Sequence, residues 1–129
     1  MTVNSYYSMK DIFNHIDAIT NKDADRYPFY NIIKVDETNW VLEVALAGYD
    51  KSNITIEEKD SCLTITGKSP ADSSTTFVHQ GISRRSFKKT FRLGEWMFVK
   101  SAKMENGILS VAVELVVPDE KKPKTISID

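Results

Sequence analysis

One cysteine and two histidines in 129 residues leave little material for redox or metal chemistry. Cys62 is alone, so no disulfide can close within the chain, and a reducing compartment, the cytoplasm, is the expected setting. Its place inside "CLTIT" makes it a small apolar strand residue rather than a reactive thiol. His15 and His79 have no Cys, His or carboxylate at ligand spacing, so no metal site is expected. A surplus of one charge is missing as well: 17 Lys and Arg stand against 18 Asp and Glu, too even for the positive field of a nucleic-acid binder. No apolar run approaches the roughly 18 residues of a membrane-spanning helix. The start, "MTVNSYYSMKD", has neither the basic flank nor the apolar stretch of a secretion signal. The five glycines are spread one to a turn instead of gathering into a phosphate-binding loop, and no G-x-S-x-G, P-loop or dinucleotide fingerprint occurs. Neither an enzyme nor a cofactor is expected.

What is present divides by period. Met9, Ile12, Phe13, Ile16 and Ile19, with Tyr6 one turn earlier, recur at helical spacing, and Lys10, Asp11, Asn14, Asp17 and Lys22 fill the other face. Ser8 suits the N-cap, with Asp11 at capping-box distance, and "NKDADRYP" ends the pattern. This amphipathic helix either packs on its own domain or serves as a sticky arm.

From Tyr30 onward the period is two. "YNIIKVD", "WVLEVALAG", "NITIEEKD", "CLTITGKS", "RRSFKKTFRL" and "ILSVAVELV" are β-rich runs separated by "DETN", "GYDKS", "KDS" and "ENG". Strands that follow strands predict an antiparallel two-sheet sandwich, immunoglobulin-like and all-β, and exclude a βαβ nucleotide fold. Alternation nominates the core: Trp40, Leu42, Val44 and Leu46; Ile54 and Ile56; Leu63 and Ile65; Phe87, Phe91 and Leu93; Leu109, Val111, Val113 and Leu115. In the one basic stretch, "SRRSFKKTFR", the same alternation puts the rings in the core, with Lys89 the odd member of that face, and the remaining charges outside. Nucleic-acid stacking is thereby disfavoured. The segment from Ser69 to Ser83 is too long for a hairpin turn and holds its own strand-like piece, "TTFVHQ".

After "PDEKKPK" the chain ends in "TISID", with Ile126 and Ile128 on one side and Thr125, Ser127 and Asp129 on the other. A strand so short needs a partner for its backbone groups and its apolar face. Asn106-Gly107 fits a tight type I′ hairpin, since both residues tolerate positive φ.

Several of these stretches resemble the small heat shock proteins built on the α-crystallin domain (the Hsp20 family), above all the bacterial inclusion-body-binding type. They are "YPFYNIIKVDETNWVLEVALAGYDKSNITIE", the A-x-x-x-N-G-x-L motif met by "AKMENGIL" from Ala102 to Leu109, and the terminal Ile126-Ser127-Ile128. The resemblance implies an N-terminal arm over residues 1–27, an α-crystallin sandwich over 28–117 and a tail over 118–129. It implies that Ile126 and Ile128 of one subunit enter an edge groove of another, with Ile54, Ile56, Val99, Ala102 and Met104 as its lining. It implies a dimer made by exchanging a strand from the long loop, here Thr76, Phe77, Val78 and His79, with Arg84 and Arg85 near the interface. It implies an ATP-independent holdase, a dimer-based oligomer covering unfolded or misfolded clients with the face Tyr6, Met9, Ile12, Phe13, Ile16 and Ile19. Release would be left to ATP-dependent chaperones, and neither nucleic acid nor a membrane span is a partner. The alternative is a monomeric or dimeric adaptor or cochaperone sandwich that binds one partner by β-augmentation.

Overall fold

The computed structural model describes residues 26–70 and 74–129. The helix expectation on Tyr6, Met9, Ile12, Phe13, Ile16 and Ile19 lies outside them. Seven strands follow in order: β1 (Tyr30–Asp36), β2 (Asn39–Ala45), β3 (Ile54–Lys59), β4 (Cys62–Gly67), β5 (Phe87–Arg92), β6 (Met97–Glu105) and β7 (Ile108–Leu115). All neighbours are antiparallel, in a four-stranded sheet ordered β1-β2-β7-β6 and a three-stranded sheet ordered β3-β4-β5. The expected all-β sandwich is the observed architecture.

The core follows from alternation and register together. Trp40, Leu42 and Val44 on β2 stand opposite Val113, Val111 and Leu109 on β7, and all six are buried. Leu63, Ile65 and Phe91 supply the facing sheet, while Leu46, Leu93 and Leu115 cover the ends. At about 1.5–3 kcal/mol for each large side chain taken out of water, this cluster is the principal force holding the two sheets together. Tyr49 and Met97 also belong to it, although neither was among the nominated core residues.

Turn chemistry agrees with the hairpins. Asn106 (φ 53°) and Gly107 (φ 76°) join β6 to β7 with the two left-handed residues of a type I′ turn. A Cβ on Gly107 would stand 3.2 Å from the Ala47 Cα, so glycine also lets this turn seat against the segment after β2, where Leu46 N–H donates to the Gly107 carbonyl at 2.8 Å. Gly67 has a different task. It pairs with Phe87, and a Cβ there would approach the ring to 2.1 Å, so the bare backbone is what admits the ring.

The run of strands needs one correction. β6 was not among the runs named from periodicity. Its alternation is broken by an irregularity between Val99 and Ser101 and by an exposed stretch from Lys100 to Lys103. Among the described residues "TTFVHQ" and "TISID" pair with no strand.

Candidate docking groove

A two-sheet sandwich has two lateral sides where edge strands of opposite sheets meet. On the β1/β5 side the gap is filled. Tyr30 packs edge-on against Phe91 with ring centroids 5.0 Å apart, and Lys89 lies over the Tyr30 ring at 4.9 Å. Lys89 is 1% exposed, and its ammonium donates to the Arg26 carbonyl at 3.1 Å. The apolar stem fills the core while the charge meets oxygen and a π face. Lys89 is indeed the odd member of the inner face, and it is buried there.

On the β3/β6 side a slot of about 330 Å³ stays open. Ile54 and Ile56 from β3 form one wall, Ala102 and Met104 from β6 the other, and Leu109 from β7 the floor, with Lys51 and Lys103 at the rim. Ile54, Ile56 and Met104 are half-buried, unlike the sealed core positions, because among the described residues no element caps this side. The A-x-x-x-N-G-x-L motif thereby acquires a physical meaning. Its Ala102 is small enough to leave the slot open, its Asn106-Gly107 turn brings β7 back, and its Leu109 supplies the floor.

Four residues expected to line the groove, Ile54, Ile56, Ala102 and Met104, are thus brought together. Val99 is not among the lining residues. It lies further along β6, where its N–H donates to a Glu58 carboxylate oxygen at 3.3 Å and ties the two edges. Lys51, Lys103 and Leu109 were not anticipated as lining. Leu109 carried a signal, its place in the motif, but it read only as core.

The long loop leaves the sandwich near Gly67. Phe77 is 44% exposed and Val78 fully so, with Thr76 and His79 also exposed. Its return is anchored. The Tyr49 hydroxyl donates to the Arg85 carbonyl, the Tyr27 hydroxyl donates to the Ser83 carbonyl at 2.7 Å, and the two hydroxyls also touch each other. Two hydroxyl hydrogens serve three contacts, so one is shared. Burial first, and the Tyr27 hydrogen bond second, push the Tyr49 phenol well above its ordinary pKa and keep it a neutral donor. The Arg85 guanidinium lies over the Tyr27 ring at 4.9 Å, and Ser69 Oγ donates to the Arg84 carbonyl at 2.7 Å. Arg84 also lays its stem on Gly48, where a Cβ would come within 2.5 Å of it.

The tail continues past β7 through a short 3-10 turn, Asp119–Lys121, and then extends. Ile126 is 79% and Ile128 97% exposed, and neither lines the slot of its own chain. The walls and floor of the slot are apolar, with lysines only at the rim. The slot can take up apolar side chains two residues apart on an extended segment. Among the described residues no group of three His, Cys, Asp or Glu side chains is placed to hold a metal ion, and no helix is long and apolar enough to cross a membrane.

Residues 32–129 match the model of the Hsp20/alpha crystallin family. Small heat shock protein IbpA of Escherichia coli O1:K1 is 34% identical over 119 residues, covering 92% of this chain and 87% of that protein. Among solved structures, a C-terminally truncated small heat shock protein AgsA from Salmonella typhimurium superposes with a TM-score of 0.64 at 33% identity, over 78% of this chain and 98% of its own. The small heat shock protein from Synechococcus phage S-ShM2 gives 0.62 at 28% identity, over 79% and 99%.

Proposed function

The chain belongs to the Hsp20/alpha crystallin family, whose members are chaperones rather than enzymes, and from that premise we propose that it is an ATP-independent holdase working as a dimer-based oligomer. The observation that carries this reading is the pairing of an open apolar slot between β3 and β6 with two exposed isoleucines on an extended tail that does not enter it. The occupant is the tail of another copy.

Energetics explain why such a contact suits a holdase. Two isoleucines contribute roughly 3–6 kcal/mol of gross burial. Association costs several kcal/mol, so one tail binds no tighter than about millimolar. Many tails linked through dimers hold an assembly by effective concentration while each contact still opens. In this reading the dimer forms by exchange of the segment Thr76, Phe77, Val78 and His79, with Arg84 and Arg85 at its base. An exposed apolar segment that pairs with no strand among the described residues supports such an exchange.

Opening of the assembly uncovers the arm face Tyr6, Met9, Ile12, Phe13, Ile16 and Ile19, along with the slot. These cover apolar patches on unfolding clients before the clients find one another. The setting is the cytoplasm, and the loaded clients pass to ATP-dependent chaperones. In this reading the arm spans 1–27, the sandwich 28–117 and the tail 118–129.

Light scattering on the full chain and on Ile126→Ser/Ile128→Ser tests the assembly. The native mass falls towards the dimer in the variant, whereas an adaptor sandwich runs as a monomer or dimer in both. A client-aggregation assay without ATP tests the activity, with deletion of residues 1–25, which spares the Arg26 carbonyl and the Tyr27 ring that pack on the sandwich, expected to weaken protection. An oligomer whose mass ignores the tail substitutions, or clients that aggregate at an unchanged rate, would overturn the proposal.

A further inference from the structure

The slot is unsymmetrical in charge, and so is the tail. β3 and β6 run in opposite directions across the slot, because Glu58 near the end of β3 meets Val99 near the start of β6, while Lys51, Ile54, Lys103 and Met104 gather towards the other end. Ile54, Ile56 and Glu58 share the inner face of β3, with Glu57 and Lys59 on its outer face. One end of the slot is therefore marked by the Glu58 carboxylate and the other by Lys51, while register sets Lys103 beside Ser110 on the outer face of β6. Lys103 also makes an exposed 3.7 Å ion pair with Glu105 on its own strand, and Lys100 sits where β6 is irregular, between Val99 and Ser101.

The tail carries the complementary order. In extended conformation Lys124, Ile126 and Ile128 share one face, and Asp129 adds its side-chain carboxylate to whatever charge the chain end carries. Lys124 to Asp129 spans about 17 Å, and Glu58 back to Ile54 spans about 13 Å with the Lys51 turn beyond it.

Resting on the tail-in-slot reading above, we propose that the tail of a second copy docks in one direction only, antiparallel to β3 and parallel to β6. Lys124, Ile126 and Ile128 lie opposite Glu58, Ile56 and Ile54, and the Asp129 carboxylate lies towards Lys51. The two isoleucines supply the binding, and Glu58 and Lys51 choose the direction. In the reverse orientation Lys124 comes to Lys51 and Asp129 to Glu58, so both contacts are repulsive.

The test uses full-length chain carrying Ile126→Ser/Ile128→Ser as receptor. The probes are N-terminally labelled peptides KPKTISID (residues 122–129) and its Lys124→Glu form, measured by fluorescence anisotropy at low salt, where exposed charges are least screened. Glu58→Gln in the receptor keeps an acceptor for the Val99 N–H and removes the charge. It weakens KPKTISID about two- to fivefold, the range of an exposed ion pair. Glu58→Lys weakens it further, and the Lys124→Glu peptide recovers binding on that receptor. Lys51→Glu weakens KPKTISID as well. Tighter binding of KPKTISID to the Glu58→Lys receptor means the reverse direction and overturns the proposal. Indifference to Glu58 and Lys51 overturns it too, while leaving the tail in the slot. Absence of peptide binding to any receptor, with native mass unchanged by the Ile126→Ser/Ile128→Ser substitutions, removes the tail-in-slot reading and this one with it.

Discussion

The hydroxyl of Tyr49 donates to the main-chain carbonyl of Arg85, so a residue in the turn after β2 fixes the point where the long loop rejoins the sheet. Tyr49 is 6% exposed and its ring packs edge-on against Phe87, which leaves the hydroxyl as its one polar handle on the loop. Tyr49→Phe keeps the ring and removes the donor. Stability should fall by about 1–2 kcal/mol, since the Arg85 carbonyl loses a partner in a part-buried place. Tyr27→Phe should cost less, because the Ser83 carbonyl it serves is exposed and water replaces the lost donor. Urea unfolding of both variants checks this; equal losses would show that the two hydroxyls act as one unit.

Lys89 offers a second test, because burial and charge act on it in opposite senses. Its stem fills the side of the sandwich closed by Tyr30 and Phe91, and its ammonium bonds a carbonyl of the exposed residue Arg26. Lys89→Met retains the volume and frees the protein from holding a charge in its interior, so the midpoint of unfolding should move by less than about 1 kcal/mol or rise. Lys89→Ala leaves a cavity and should cost about 2–4 kcal/mol. Equal damage from both variants would mean that the charge, not the stem, is what the fold requires.

Where one face of a strand is sealed and the other wet, the pattern was legible before the structure. Trp40, Leu42 and Val44, and Leu109 through Leu115, read as strands because every second residue is buried. β6 did not, because it is an edge strand with an irregularity at Val99/Ser101, and Ala102 faces an open slot instead of a packed layer. Ile54 and Ile56 were legible as an apolar face but not as the wall of a groove. That role depends on which edges of two sheets lie side by side, a relation between residues some fifty positions apart that no local period encodes. The family resemblance, not the alternation, nominated Ala102 and Met104. Tyr49 stood as a lone aromatic in a turn, a signal that a ring was being buried, and it passed unread.

Acid should loosen the β1–β2 turn. The Asp36 carboxylate accepts from the Thr38 N–H at 2.9 Å and from Asn39 Nδ2 at 2.9 Å, and these bonds, the Asn39 one foremost, hold its pKa below the ordinary 3.8. A depressed folded value means the stabilisation is complete above the unfolded value and is lost as pH falls through the folded one. The turn should therefore be unaffected from neutral pH to about 5 and loosen only below about 4. The Asp36 carboxyl carbon resonance, followed by NMR, should titrate with a midpoint under 3.8. A midpoint at or above that value contradicts the hydrogen bonding described.

Filling the slot from within should do to the assembly what removing the tail does. Ala102 is exposed and lines the slot, so its side chain is enlarged without disturbing the sealed core around Val111 and Val113. Ala102→Phe places a ring in the space proposed for Ile126 or Ile128 of another copy. Phenylalanine suits a strand, and its ring covers Ile54, Ile56 and Met104 in place of the tail. The thermal midpoint should hold within a few degrees, as for a substitution outside the core. Native mass should fall as it does for Ile126→Ser/Ile128→Ser, and combining the two changes should add nothing, because both empty the same contact. A large assembly that survives Ala102→Phe, or a further loss of mass in the combined variant, would place the tail somewhere other than between β3 and β6.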